Sequence, residues 1–93
     1  MSKSAKANST HRALLIGRQG NKCCYCARQL LKPQALLPNG KNHPHAATIE
    51  HLWRRADGGS NGLHNKAVAC QECNSGRGKT DWLTYKSMKM GEI

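Results

Sequence analysis

Apolar residues fall along the chain in short groups separated by long polar stretches, and the spacing of each group predicts a different element. Met1 to Ser9 carry too few apolar side chains to bury a face and read as a flexible polar tail. Thr10 is placed to cap a short helix over His11 to Arg18, with Leu14 and Leu15 facing inward and Gly17 and Gly20 closing it. Lys22 to Cys26 reads as a tight knuckle. The run RQLLKPQALLPNGKNHPH holds three prolines and an Asn-Gly pair and reads as an irregular connection. AATIEHLW is rich in β-branched and apolar residues and predicts a short strand. RRADGGSNGLHN is a loop, turned at Gly58-Gly59 and Asn61-Gly62, with His64 in it. KAVA predicts a second short strand. The pair Cys70 and Cys73 then opens a helix that carries Asn74. Thr80 or Asp81 caps a last helix, in which Trp82, Tyr85 and Met88 share one face and read as core.

Composition changes this picture in one respect. The chain has 93 residues, aromatic residues make up 4% of it, and Phe is absent. One domain over residues 10–93, following the tail at 1–9, is the expectation. A domain this small, without large apolar side chains, needs a staple in addition to its core.

Charge points to a partner. Lys and Arg number 15 against 5 acidic residues, for a net charge of +10. The cations run from Lys3 to Lys89 without forming one block. A polyanion is the natural partner and nucleic acid the first choice, with a well-solvated basic surface as the bland alternative. No stretch approaches the roughly 20 apolar residues that cross a bilayer. The lysines near Met1 are not followed by an apolar core of secretory length. The expected location is the cytoplasm.

The five cysteines supply the staple. Cys23 and Cys26 form one C-x-x-C pair, and Cys70 and Cys73 form another. Two such pairs make the tetrahedral sulfur set of structural zinc, a closed site with no position left for substrate. Zinc would tie the N-terminal knuckle to the helix after the second pair and contribute directly to folding. A redox dithiol or a disulfide framework are the alternatives. Cys24 is the spare and reads as a small, partly buried residue.

Between the pairs lies a series suited to phosphodiester chemistry. Hydrolysis needs a base to deprotonate water, a cation to hold the phosphate and the leaving oxygen, and a frame that orients both. An ordinary histidine titrates near pH ~6.5, which suits the base role. A carboxylate beside an amide oxygen makes a hard-oxygen site for Mg²⁺ or Mn²⁺. Adjacent strand residues point to opposite faces, so Glu50 and His51 can share a site only where the strand ends or twists.

The series Glu50-His51, Gly58-Gly59, Asn65, Cys70-x-x-Cys73 and Asn74, with the first knuckle Cys23-x-x-Cys26, resembles the HNH nuclease family. The resemblance covers roughly Cys23 to Arg77. It implies an α+β, zinc-stabilised ββα-metal (His-Me finger) domain with flanking helices, core motif 23–77. It further implies that His51 activates water and that Glu50 and Asn74 hold a catalytic Mg²⁺ or Mn²⁺. Apart from the resemblance, His43 and His45 lie just upstream, and His45, an even number of residues before His51 and so on its face of a regular strand, is the better additional candidate ligand. Asn65 would pin the loop and orient His51, and Arg77, at the family's usual Lys position, would meet a phosphate. Arg54, Arg55, Lys66 and Lys79 are further phosphate candidates. This sequence departs from the family pattern in having Glu50 for Asp, Arg54 for Pro and Lys66 for Leu.

The expectation that follows is a bacterial or phage-encoded endonuclease, a monomer or weak homodimer. It would nick double-stranded DNA with low sequence specificity, through the phosphate backbone. The rivals are a non-catalytic zinc-finger module that binds DNA or RNA, and a nuclease subunit active only within a phage packaging or processing assembly.

Overall fold

A computed structural model describes residues 3–91, with side chains described from residue 9 onward. In chain order it contains helix α1 (Lys3–Gln19), strand β1 (Ala47–His51), strand β2 (Lys66–Cys70), helix α2 (Gln71–Arg77) and helix α3 (Trp82–Lys89). The architecture is α+β.

The helix α1 begins at Lys3, so Thr10 lies inside it and does not cap it. The expected tail over residues 1–9 is therefore helical from residue 3, and Met1 and Ser2 lie outside the described residues. The stretch contains no proline and includes alanines, which accept helix geometry at little cost, so the helix propagates well beyond its apolar turn. It stops at Gly20, which takes φ +81° and whose N–H bonds to Ile16 O at 3.0 Å. Leu15 is buried and Ile16 packs against the core, but Leu14 is 47% exposed, contrary to the expected inward pair. Adjacent helical positions are about 100° apart, and only one of the two leucines can face the sheet.

The chain between α1 and β1 has no regular element, as three prolines dictate. It is held by isolated bridges, Lys22 to Gln29, Leu31 to Ala46 and Leu36 to Asn42. β1 and β2 form an antiparallel pair in which Ala47 faces Cys70, Ile49 faces Val68 and His51 faces Lys66. The loop between them contains two 3₁₀ turns, Arg55–Asp57 and Leu63–Asn65. The far edge of β2 is also engaged. Gln19 bonds to Val68 N at 3.4 Å and to Val68 O at 3.3 Å, and Cys24 N donates to Val68 O at 3.0 Å. An open strand edge is thereby covered by the end of α1 and the knuckle.

The core lies where α1, the hairpin and α3 meet, among Leu15, Tyr25, Leu30, Val68 and Tyr85. Tyr25 and Tyr85 meet edge to face, centroids 5.0 Å apart at 89°. Asp81, not Thr80, caps α3, accepting from Leu83 N at 3.1 Å and Thr84 N at 3.2 Å. Of the expected α3 stripe, Tyr85 is buried and Trp82 packs at the margin, while Met88 is 51% exposed.

The two leucines give a direct test of this packing. Leu15→Ala should lower the free energy of unfolding by about 2–4 kcal/mol. Leu14→Ala should change it by less than about 0.5 kcal/mol. Urea unfolding followed by circular dichroism separates the two.

Candidate functional site

The knuckle and the end of the hairpin bring four sulfurs together. Ligand atoms of Cys23, Cys26, Cys70 and Cys73 all lie within 4.8 Å of one another. Cys26 Sγ and Cys70 Sγ are 3.9 Å apart, close to the roughly 3.8 Å that a tetrahedral zinc with ~2.3 Å bonds requires. All five cysteines are free thiols, so no disulfide framework is present. Each pair is shaped by backbone hydrogen bonds to sulfur: Tyr25 N donates to Cys23 Sγ, and Cys73 N to Cys70 Sγ, both at 3.4 Å. The second bond also caps α2. The knuckle turns through Ala27 at φ +62°, with Ala27 N bonded to Cys23 O at 3.0 Å.

The electrostatics of this cluster call for a cation. Burial pushes the Cys70 and Cys73 thiols up, and neighbouring thiolates add to the effect. A hydrogen bond from Cys24 is the main reason that Cys23 is pulled down, and the same bond holds the Cys24 thiol up. Four thiolates this close repel one another, and a divalent ion among them removes that cost. The cluster can thus hold a structural metal such as zinc. Cys24 stands outside it, partly buried against the core.

A second buried group sits behind the hairpin. Arg77, 4% exposed, donates from Nε to Thr80 O at 2.8 Å, from Nη1 to His51 O at 2.7 Å, and from Nη2 to Leu52 O at 2.6 Å. Its Nη1 also meets Tyr25 Oη at 3.1 Å and lies 3.4 Å from Glu50 Oε1. Tyr25 Oη bonds to Glu50 Oε2 at 3.1 Å. One guanidinium therefore ties α2 to the end of β1, to the knuckle and to the approach to α3. The expected phosphate contact of Arg77 is not what this geometry provides, because its donors face inward to carbonyls and a carboxylate. Glu50 is 6% exposed; burial pushes its carboxyl pKa up, opposed by Arg77 and the Tyr25 hydroxyl.

His51 is the last residue of β1, and the alternation of the strand turns it away from Glu50. His51 Nε2 lies 2.9 Å from Asn61 Oδ1. An amide oxygen only accepts, so this bond assigns the proton to Nε2 and the lone pair to Nδ1. Asn65, 9% exposed, clamps the loop beyond. Its Oδ1 accepts from Trp53 N at 2.9 Å, and its Nδ2 donates to Trp53 O at 2.9 Å and to Ser60 O at 2.7 Å. Asn65 O takes Leu52 N at 2.9 Å, which continues the ladder past the strand. Asn74, on α2, donates from Nδ2 to Thr48 Oγ1 and to Ile49 O, both at 2.9 Å. Both its amide hydrogens are engaged, and Oδ1 remains as the group for a cation.

Other expected residues are placed differently. Lys66 is 4% exposed, and its Nζ lies 2.8 Å from His11 Nδ1 on α1. Burial and the nearby Arg55 push its ammonium pKa down. It is not a surface phosphate contact. It stands opposite His51 in the ladder, so the two side chains share a face of the hairpin. His45 and His43 stack edge to face at 4.9 Å, and His45 N bonds to His43 Nδ1 at 3.0 Å. Among the described residues, the four thiols are the one group of three or more His, Cys, Asp or Glu side chains placed to share an ion. Glu50 and His45 therefore do not gather into a second such cluster with His51. Arg54 pairs with Asp57 at 3.4 Å, and Arg55 is exposed.

Sequence reasoning missed Asn61, Tyr25 and His11. Asn61-Gly62 carried only a turn signal, Tyr25 lay hidden between two ligands, and the partner of His11 is 55 residues away. No family model matches the chain, and no curated protein matches it in sequence.

Two measurements test this geometry. Native mass spectrometry should find one zinc per chain, lost in Cys70→Ser and kept in Cys24→Ser; a metal-free wild type would refute the assignment. Arg77→Met should lower stability by about 3–5 kcal/mol, because it leaves Glu50 buried and unpaired. Adding Glu50→Gln should restore at least about 1 kcal/mol of that in urea titrations.

Proposed function

We propose that this chain is a metal-dependent DNA endonuclease of the HNH type, with His51 as its general base and a zinc ion on the four thiols as its structural staple. The order β1, β2, α2 is that of a ββα-metal unit; it follows the first cysteine pair and carries the second at its β2–α2 junction. The observation that carries the reading is the hold on His51. Asn61 fixes its ring through Nε2, and Asn65 fixes the loop that follows. An imidazole held this way presents Nδ1 as a base.

In the reaction, Nδ1 of His51 takes a proton from water as the water oxygen attacks phosphorus and the P–O bond to the leaving sugar oxygen breaks, that oxygen taking its proton from solvent, while Asn61 Oδ1 stabilises the imidazolium through Nε2–H. Arg54, Arg55 and Lys79 are the cations left to meet the DNA backbone. A bound Mg²⁺ or Mn²⁺ would supply charge for the departing oxygen. The Oδ1 of Asn74 fits such an ion, whereas Glu50 is committed to Arg77 and Tyr25. One such base serves one strand, so a monomer nicks. Contacts dominated by phosphate imply weak sequence preference and strong salt dependence.

The pairing of Glu50 with Arg77 favours one rival, a zinc-stapled module that binds DNA without cutting it. Supercoiled plasmid with Mn²⁺ decides between them. Wild type should convert it to the nicked form, and His51→Ala should do so at least about 100-fold more slowly. Intact plasmid with both proteins, or equal nicking by both, would overturn the assignment.

A further inference from the structure

Trp53 lies two residues beyond His51 and is 61% exposed, although it is the largest apolar side chain of the loop. A surface tryptophan on a mobile loop would carry no meaning, but this one is fixed at four points. Its backbone N–H and C=O are both bonded to Asn65, at 2.9 Å each. Its indole Nε1 donates to Asp57 O at 2.7 Å. Gly59 packs so closely under Trp53 O that a Cβ there would collide with it. Gly58, at φ +90°, makes the turn that brings Gly59 in. The loop thus holds a flat aromatic surface out to solvent, with its only polar atom already satisfied from within.

Beside the ring is a cleft of about 230 Å³ lined by Leu52, Trp53, Arg54, Asp57, Lys79 and Asp81, with Arg77 in its wall. Its two carboxylates are already engaged. Asp57 pairs with Arg54, and Asp81 caps α3. Lys79 makes no ion pair among the described residues. An aromatic face next to an unmatched cation, on a chain of net charge +10, is complementary to a base with its phosphate.

We propose that Trp53 is a stacking platform for an unpaired nucleobase of the DNA strand, with Lys79 on the adjoining phosphate. The site would then favour single-stranded or locally opened DNA over intact duplex. This deepens the nuclease reading and rests on it for the identity of the strand. Nothing in the sequence singled Trp53 out, because its packing partners Asn65 and Gly59 became evident only in the fold.

Binding tests the platform separately from cleavage. The full chain carrying His51→Ala, zinc-loaded and without other divalent ions, is titrated into a labelled 12-nucleotide single strand and into a duplex of the same length at fixed salt. Fluorescence anisotropy gives both affinities. Trp53→Ala should weaken single-strand binding about tenfold and change duplex binding by less than about twofold. Trp53→Phe keeps the ring and loses the indole N–H, and should stay within about threefold of the parent on the single strand. Equal loss on both substrates, no loss on either, or Phe falling as far as Ala would overturn the proposal. The last of these would make Trp53 a structural residue of its loop. If wild type fails to nick plasmid while the single-strand effect persists, the nuclease reading fails and the platform stands.

Discussion

Four sulfur atoms within 4.8 Å of one another are the constraint on which this domain turns. They come from the knuckle and from the junction of β2 with α2, and each pair is already bent into shape by a backbone N–H on sulfur. The apolar core is slight and contains no Phe. Without a cation the thiols must either stay protonated or repel. With one, the knuckle, β2 and α2 become a single unit. The candidate chemistry of His51 depends on that unit, because β1 is held in place by β2 on one side and by α2 on the other.

The buried guanidinium of Arg77 ties the same unit to the end of β1. It gathers carbonyls from His51, Leu52 and Thr80 and faces Glu50 and Tyr25. Burying a charge is costly, and pairing offsets the cost only when the remaining donors are satisfied. Here they are. What the arrangement secures is position: the backbone on either side of the His51–Leu52 peptide is fixed, so the imidazole starts from a rigid base. The same arrangement draws Glu50 inward. A carboxylate that the family pattern would give to a metal is, in this chain, one half of an internal ion pair.

Much of this was readable from the residues alone. The cysteine spacing, the two strands, the loop between them and the helix carrying Asn74 all follow from local signals that act over a few positions. The helix α3 follows in the same way, although Thr80 and Asp81 were equal candidates for its cap. The N-terminal boundary of α1 was not legible, because a polar helix with one buried leucine leaves hardly any periodicity to read. Nor was the inward role of Arg77. Its number in the chain says that it lies one turn beyond Cys73, but only the packing of Tyr25 and Glu50 against it closes the space around it. Asn61 was visible as a turn former; its hold on His51 depends on how the loop folds back, which no local pattern encodes.

The separation of the two thiol pairs has a consequence for the life of the chain before it is folded. Cys26 and Cys70 are 44 positions apart. At typical translation speeds the first pair leaves the ribosome roughly 2–9 s ahead of the second. During that interval Cys23, Cys24 and Cys26 form an open run of thiols with no distant partner. They are then exposed to oxidants and to thiophilic ions that the finished centre would exclude. If the cluster is to hold a metal such as zinc, the nascent segment has to stay reduced until the second pair emerges to complete the site.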